Sequence, residues 1–235
     1  MRLTEKIIVA LDVNNLTDAK NLVQMLLPYV RCFKIGLELM SSVGTPQAVE
    51  CIHSLGGEVF LDGKFNDIPN TVAKACKATS QLGVKIFNVH ASAGVDALKA
   101  AVQNKGNSIL LAVTVLTSID DAASENIFGA NTQDKVLQFA LDAKKAGIDG
   151  IVCSAQDLKL FSKHEELSSL LKITPGVRPH WSQTNDQRRV LTPKEALELG
   201  ADALVIGRPI TDPPLQVGTP IDAIKKVLGE ICQKI

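Results

Sequence analysis

Short apolar runs recur along the whole chain at nearly regular intervals. They are rich in β-branched residues, and they are continuously apolar rather than alternating, which is typical of parallel strands covered on both faces. Eight such runs predict eight strands, over residues 7–12, 32–36, 59–64, 86–91, 109–116, 150–154, 172–176 and 203–207.

Segments with helical periodicity lie between the predicted strands, among them 17–27, 71–82, 134–146 and 193–199, and 221–231 closes the series. Thr17 and Thr192 are predicted N-caps, and Pro193 suits a first helical turn. Gly83, Gly147 and Gly200 are predicted to end helices just before the next strand. This helix-glycine-strand pattern recurs in QLGVKIFNV, KAGIDGIVCS and LGADALVIG, and it indicates the return turn of a β/α unit.

Eight β/α units without an interrupting linker predict an α/β fold, a (β/α)8 TIM barrel that forms a single domain over 1–235. With 46% hydrophobic and 21% charged residues, a chain of 235 residues can bury a sizeable core. An open doubly wound sheet is the alternative. It seldom uses eight units of this regularity, and no GxGxxG follows the first strand.

Charge and cysteine usage narrow the class of protein further. Lys plus Arg equals Asp plus Glu at 25 each, so no global charge points to nucleic acid or to an anionic membrane. The five cysteines are widely spaced without a CxxC pair, which predicts reduced, mostly buried thiols. The sequence has neither a secretory signal pattern nor an apolar run of the roughly 18 residues that a membrane span needs. We expect a soluble, cytoplasmic protein without nucleic-acid or membrane partners.

Polar residues stand repeatedly at the ends of the predicted strands, where TIM barrels carry their active sites. They are Asp12, Lys34, Asp62, Lys64, Asn88, His90, Thr114, Thr117 and Arg208. A charge inside an apolar strand is costly unless it is paired, so Lys34, Asp62 and Lys64 are expected to neutralise one another. A structural ion-pair network is the alternative to an active site.

The segment FLDGKFNDIPNT, residues 60–71, carries the most specific signal. Asp62 and Lys64 are two positions apart, so on an extended strand end they face the same side, and Asp67 follows across a loop. Pro69 suits the first turn of the next helix. An ammonium held between carboxylates can donate a proton to a carbanion.

This segment resembles the D-x-K-x-x-D-I-P-x-T signature of the orotidine 5'-monophosphate (OMP) decarboxylases. The resemblance covers almost the whole chain, because IIVALD, FKIG, NVHA, AVTVLTS, GIVCS, TPGVR, NDQRRV and VIGRPI follow in the order of the bacterial branch. The related barrel enzyme 3-hexulose-6-phosphate synthase also carries D-x-K-x-x-D. Lys34 in FKIG, the TVLTS loop and the NDQRRV segment favour the decarboxylase.

The resemblance implies a carboxy-lyase that converts OMP to UMP and CO2 in de novo pyrimidine biosynthesis, without a cofactor or a metal. It implies that Lys64 protonates C6 while Asp62 lies beside the substrate carboxylate. Lys34, and Asp67 from the neighbouring subunit of a homodimer, would complete an alternating Lys-Asp-Lys-Asp array.

The resemblance also assigns the rest of the substrate site. Asp12 and Lys34 would hold ribose hydroxyls, and Thr71 would reach the ribose in the neighbouring subunit's site. Ile68 would line the substrate site, and Thr117 would recognise the pyrimidine. The positions that match the family's phosphate side are Arg178, Gln187, Gly207 and Arg208. The polar segment 177–189 is longer than a usual β/α connection, and we interpret it as a lid.

A rival from another class is a non-catalytic phosphate-binding barrel. It could keep Gly207 and Arg208, but it would not need Lys34, Asp62, Lys64 and Asp67 close together. Among enzymes, the aldolase-type relative 3-hexulose-6-phosphate synthase would require a divalent metal. The expected grouping of these four charges therefore favours an enzyme over a phosphate-binding barrel.

Overall fold

Eight parallel strands in chain order form a closed barrel in the computed structural model, which describes residues 5–182 and 191–232. The strands are β1 Ile7–Leu11, β2 Cys32–Ile35, β3 Glu58–Phe65, β4 Ile86–His90, β5 Ile109–Val113, β6 Gly150–Val152, β7 Leu171–Pro175 and β8 Ala203–Ile206. Each coincides with a predicted strand to within a few residues at either end. The predicted (β/α)8 TIM barrel is confirmed, whereas its extent as one domain over 1–235 stays a prediction.

Eleven α-helices lie within the described residues. They are α1 Leu16–Leu26, α2 Leu37–Val43, α3 Thr45–Ser54, α4 Pro69–Gln81, α5 Val95–Asn104, α6 Asp121–Phe128, α7 Thr132–Ala146, α8 Asp157–Phe161, α9 Pro193–Glu198, α10 Arg208–Thr211 and α11 Pro220–Cys232. Not one of these described helices has the length and apolar character needed to cross a membrane.

The caps of the helices follow the predictions with one exception. Thr192 caps α9, because its Oγ1 accepts the Glu195 N–H at 3.2 Å, and the Glu195 carboxylate accepts the Thr192 N–H at 2.8 Å in return. The prediction for Thr17 is wrong. The Asn15 side chain accepts the Asp18 N–H at 2.9 Å, so α1 begins at Leu16 and Thr17 lies inside it. Gly83, Gly147 and Gly200 all have positive φ, as the predicted helix ends require.

Residue contacts group the chain into two compact units, which are described separately. The first contains the described residues up to Asp62, those between Pro175 and Glu198, and those from Asp202 onward. Its core includes Ile7, Phe33, Ile206 and Ile224, all without exposed surface. Ala10 of β1 pairs with Lys34 of β2, and Lys34 pairs with Phe60 of β3. This register brings the ends of β1, β2 and β3 to one edge.

The second unit contains Gly63–Thr174 and the short stretch Leu199–Ala201. Phe87, Leu98, Leu110 and Ile151 are fully buried in it. In its sheet, His90 at the end of β4 is aligned with Val113 of β5, and Val113 with Val152 of β6. The unit therefore places His90 at the carboxyl end of β4, the position expected for active-site residues in a TIM barrel, and Asn88 two residues before it.

All five cysteines are free thiols, as the sequence predicts. Three of them, Cys32, Cys76 and Cys153, are buried, whereas Cys51 is half-buried and Cys232 is exposed. Burial raises the pKa of the Cys76 thiol to about 12. A thiol with so high a pKa is a poor nucleophile at neutral pH, so Cys76 acts as a packing residue.

Candidate active site

Lys34 lies between two carboxylates in the first unit. Its ammonium Nζ is 3.4 Å from Asp12 Oδ1 and 3.4 Å from Asp62 Oδ2. The side chains of Lys34 and Asp62 are only 12% and 14% exposed, whereas that of Asp12 is 51% exposed. The predicted neutralisation of Lys34 and Asp62 is confirmed. Because both side chains are largely buried, solvent screens this ion pair little.

The strand register explains why these three side chains meet. Lys34 is aligned with Ala10 on one side and with Phe60 on the other. Asp12 and Asp62 each follow their aligned residue by two positions, and residues two apart in a strand face the same side. The ends of three adjacent strands thus bring an acid, a base and an acid together.

Two glycines leave room for this charged group. A Cβ added at Gly36 would lie 2.9 Å from Lys34 Nζ, and one at Gly207 would lie 3.1 Å from Asp12 Oδ2. A larger residue at Gly36 would force the Lys34 ammonium to shift, and one at Gly207 would crowd the Asp12 carboxylate. The sequence analysis assigned Gly207 to the phosphate side and missed Gly36. The glycine that directly follows the strand in FKIG was the signal for it.

Lys64 has an unusual backbone in the second unit. Its φ is +48°, which makes it the one described non-glycine residue with positive φ. This left-handed conformation costs an L-residue about 1–2 kcal/mol. The Lys64 N–H donates to Asn88 Oδ1 at 2.7 Å, and Asn88 is fully buried. The same-side argument for Asp62 and Lys64 assumed an extended strand, and the backbone departs from that geometry at Lys64.

His90 lies close enough to Lys64 for the two to interact electrostatically. Its pKa is lowered, first by burial and second by the positive charge of Lys64. The imidazole Nδ1 is 2.7 Å from Ser92 Oγ and accepts the Ser92 N–H at 3.4 Å. His90 is therefore a neutral, hydrogen-bonded residue at neutral pH.

The loop that follows β3 is exposed. Three residues predicted for the site are exposed here, namely Asp67, Ile68 and Thr71. Exposure is unusual for Ile68, because it is apolar and 66% of its surface is accessible. Asp67 Oδ1 accepts the N–H of Ile68 at 2.7 Å. Helix α4 begins at Pro69, as predicted. Thr117, which follows β5, is exposed as well.

The residues predicted for the phosphate differ in their surroundings. Arg178 is buried, its N–H donates to the Leu191 carbonyl at 2.9 Å, and its Nη1 donates to the Val177 carbonyl at 3.3 Å. Arg208 is exposed at the first position of α10, directly after Gly207. Gln187 and residues 183–189 of the predicted lid lie outside the described residues. The described start of that segment is packed, since Val177 and Pro179 are buried too.

Comparison with known proteins places this geometry in one family. The model of the orotidine 5'-phosphate decarboxylase / HUMPS family matches residues 5–219. The orotidine 5'-phosphate decarboxylase of Syntrophomonas wolfei is 43% identical over 98% of this chain and 99% of its own length. That of Nitrosococcus oceani is 46% identical over 96% of this chain and 97% of its own.

Solved structures agree with the sequence comparisons. The crystal structure of orotidine 5'-phosphate decarboxylase from Lactobacillus acidophilus matches with a TM-score of 0.81 and 32% identity, over 97% of this chain and 99% of that one. The chain belongs to the orotidine 5'-phosphate decarboxylase / HUMPS family.

Proposed function

We propose that this chain decarboxylates OMP to UMP and CO2 in de novo pyrimidine biosynthesis, and that Lys64 is its proton donor. The observation that carries the proposal is the arrangement on β3. This strand bears Asp62, which is ion-paired to Lys34, and two residues later it bears Lys64 in a strained backbone. Strain of this kind persists at functional sites because the surrounding structure maintains it.

The reaction needs a fixed cation beside C6. When the bond between C6 and the carboxylate breaks, its electron pair stays on C6 as a vinyl-type carbanion, for which the ring offers no good electron sink. A preorganised ammonium stabilises this developing charge and costs no reorganisation during the reaction. Lys64 then transfers one proton to C6, becomes a neutral amine and regains its proton from solvent.

Asp62 and Lys34 set the electrostatics around that step. Asp62 would lie beside the substrate carboxylate, and its 3.4 Å contact with Lys34 keeps it in place. Lys34 also contacts Asp12, and these two side chains would hold ribose hydroxyls of the substrate. The ion pairs of Lys34 with Asp12 and Asp62 support electrostatic preorganisation as the source of catalysis.

Further residues would orient the two ends of OMP. Thr117 would recognise the pyrimidine edge. The loops after β7 and β8 frequently form a phosphate site in TIM barrels, and they carry the candidates for phosphate binding. Those candidates are Arg178, Gln187, Gly207 and Arg208. An arginine can bind a phosphate with two parallel hydrogen bonds, which fixes both position and orientation.

The active site would be shared across a homodimer in the cytoplasm. Asp67, Ile68 and Thr71 are exposed at the tip that follows β3, and Ile68 is an apolar residue with 66% of its surface accessible. A two-fold interface at this tip would bury Ile68. It would carry Asp67 and Thr71 into the neighbouring subunit's site, where Ile68 would also contact the substrate.

The aldolase-type relative is the alternative, and its chemistry needs a divalent metal. We expect the purified protein to consume OMP in excess EDTA, measured as loss of the orotate-ring absorbance. Orotidine, which lacks the phosphate, serves as the matched control and should react far more slowly. Activity that vanishes with EDTA and returns with a divalent metal would contradict the proposed function.

A further inference from the structure

We propose that Asn88 is a positioning residue for the proton donor. Its amide oxygen holds the left-handed backbone at Lys64 and so sets the direction from which the ammonium reaches the substrate. The inference rests on the role proposed above for Lys64. It concerns a residue to which neither the family signature nor the resemblance assigns a part.

The geometry makes Asn88 a rigid support. It lies in the middle of β4, where Phe87 and Val89 on either side of it have no exposed surface. It is aligned with Leu111 of β5, which is also fully buried. A polar side chain at such a position is tolerated when it is hydrogen-bonded, and the 2.7 Å bond from the Lys64 N–H supplies a partner.

The bond acts on the backbone and not on the ammonium. Positive φ is unfavourable for lysine, so residue 64 would relax to an ordinary conformation if nothing opposed it. Asn88 opposes it by accepting the N–H in the left-handed conformation. Because the direction of the Cα–Cβ bond depends on the backbone angles, relaxation would move the whole side chain. A displacement of about 1 Å at a reacting group can cost about 100-fold in rate.

His90 gives β4 a second influence on the same lysine. It follows Asn88 by two positions, and the Lys64 charge is the second cause of the lowering of its pKa, after burial. Strand β4 therefore accepts the Lys64 backbone N–H through Asn88 and also carries His90, whose pKa responds to the Lys64 charge.

The test compares Asn88→Ala and Asn88→Asp with Ser108→Ala. Asn88→Asp keeps an oxygen acceptor of nearly the same shape. Ser108 is a matched control, because it is buried in the same unit and its Oγ donates to the Val84 carbonyl at 2.6 Å just before β5. The measurements are kcat and KM for OMP, the affinity for UMP, and the thermal midpoint of unfolding.

We expect Asn88→Ala to lower kcat by about 100-fold while KM and UMP affinity change by less than about threefold. Asn88→Asp should recover at least about a tenth of the wild-type kcat, since it can still accept the Lys64 N–H. Ser108→Ala should keep kcat within about twofold while it loses thermal stability to a similar degree, because it too removes one buried hydrogen bond.

Two results would overturn the inference. One is wild-type kcat in Asn88→Ala. The other is an equal loss of kcat in Asn88→Ala and Ser108→Ala at equal loss of thermal stability. This comparison decides the matter even if Asn88→Asp does not fold. Failure of the wild-type protein to consume OMP would instead refute the proposed function, so the two failures are distinguishable.

Discussion

Lys64→Ala is expected to lose turnover by about 1000-fold or more while UMP still binds, because proton delivery and carbanion stabilisation act in the transition state and not in the ground state. Single-turnover decarboxylation of OMP measures the first effect. Titration with UMP measures the second.

The strained backbone supplies a matched control for this variant. Glycine adopts a φ of +48° without strain, whereas alanine does not. Lys64→Gly should therefore be more stable than Lys64→Ala by about 1 kcal/mol, yet equally inactive. Retention of more than about a tenth of wild-type turnover in either folded variant would show that Lys64 is not the proton donor.

Mixing two inactive variants is expected to restore activity if the sites are shared. In a hybrid of Lys64→Ala and Asp67→Ala subunits, both defects fall in one site and the other site is wild type. Random exchange of equal amounts makes about half of the dimers hybrids, each with one intact site in two, so about a quarter of wild-type activity should return. Decarboxylation of OMP after exchange, with hybrids verified by mass spectrometry, is the measurement.

The control for this experiment replaces the Asp67→Ala subunit with one that carries both substitutions. Every site then lacks Lys64, and mixing with Lys64→Ala should restore nothing. If hybrids of the two single variants form but remain inactive, Asp67 serves its own subunit, and the shared site is wrong for this protein.

The strands could be predicted closely because burial on both faces requires a recognisable sequence pattern. A parallel strand covered on both faces must be continuously apolar, and runs such as 109–116 stand out against the helical segments. The exact ends of the helices were harder to predict. Helix α1 could be capped by Asn15 or by Thr17, since both side chains are capable, and only the folded chain shows that Asn15 accepts the Asp18 N–H.

The pairing of Lys34 with Asp62 could also be predicted from the sequence. A lysine in the middle of an apolar strand must find a negative partner, and the parallel register leaves few candidates. The close approach of Lys34 to Gly36 and of Asp12 to Gly207 could not be predicted, because it depends on where these side chains lie in the folded chain.

The left-handed backbone of Lys64 could not be predicted. Propensity argues against positive φ at lysine, and the acceptor that compensates for it lies 24 residues away on another strand. From sequence, Asn88 could be singled out only as a polar residue in an apolar strand. A site where a local rule is broken and a distant residue compensates is the kind that sequence reasoning misses.

Decarboxylation of OMP in D2O with excess EDTA tests the central claim most directly. OMP carries no hydrogen at C6, and the Lys64 ammonium exchanges its protons with solvent, so each OMP should give one CO2 and one UMP with deuterium at C6. Proton NMR and mass spectrometry of the product measure how much UMP is formed and how much deuterium it carries at C6. OMP that stays intact in chelator and is consumed only when a divalent metal is restored would contradict the account.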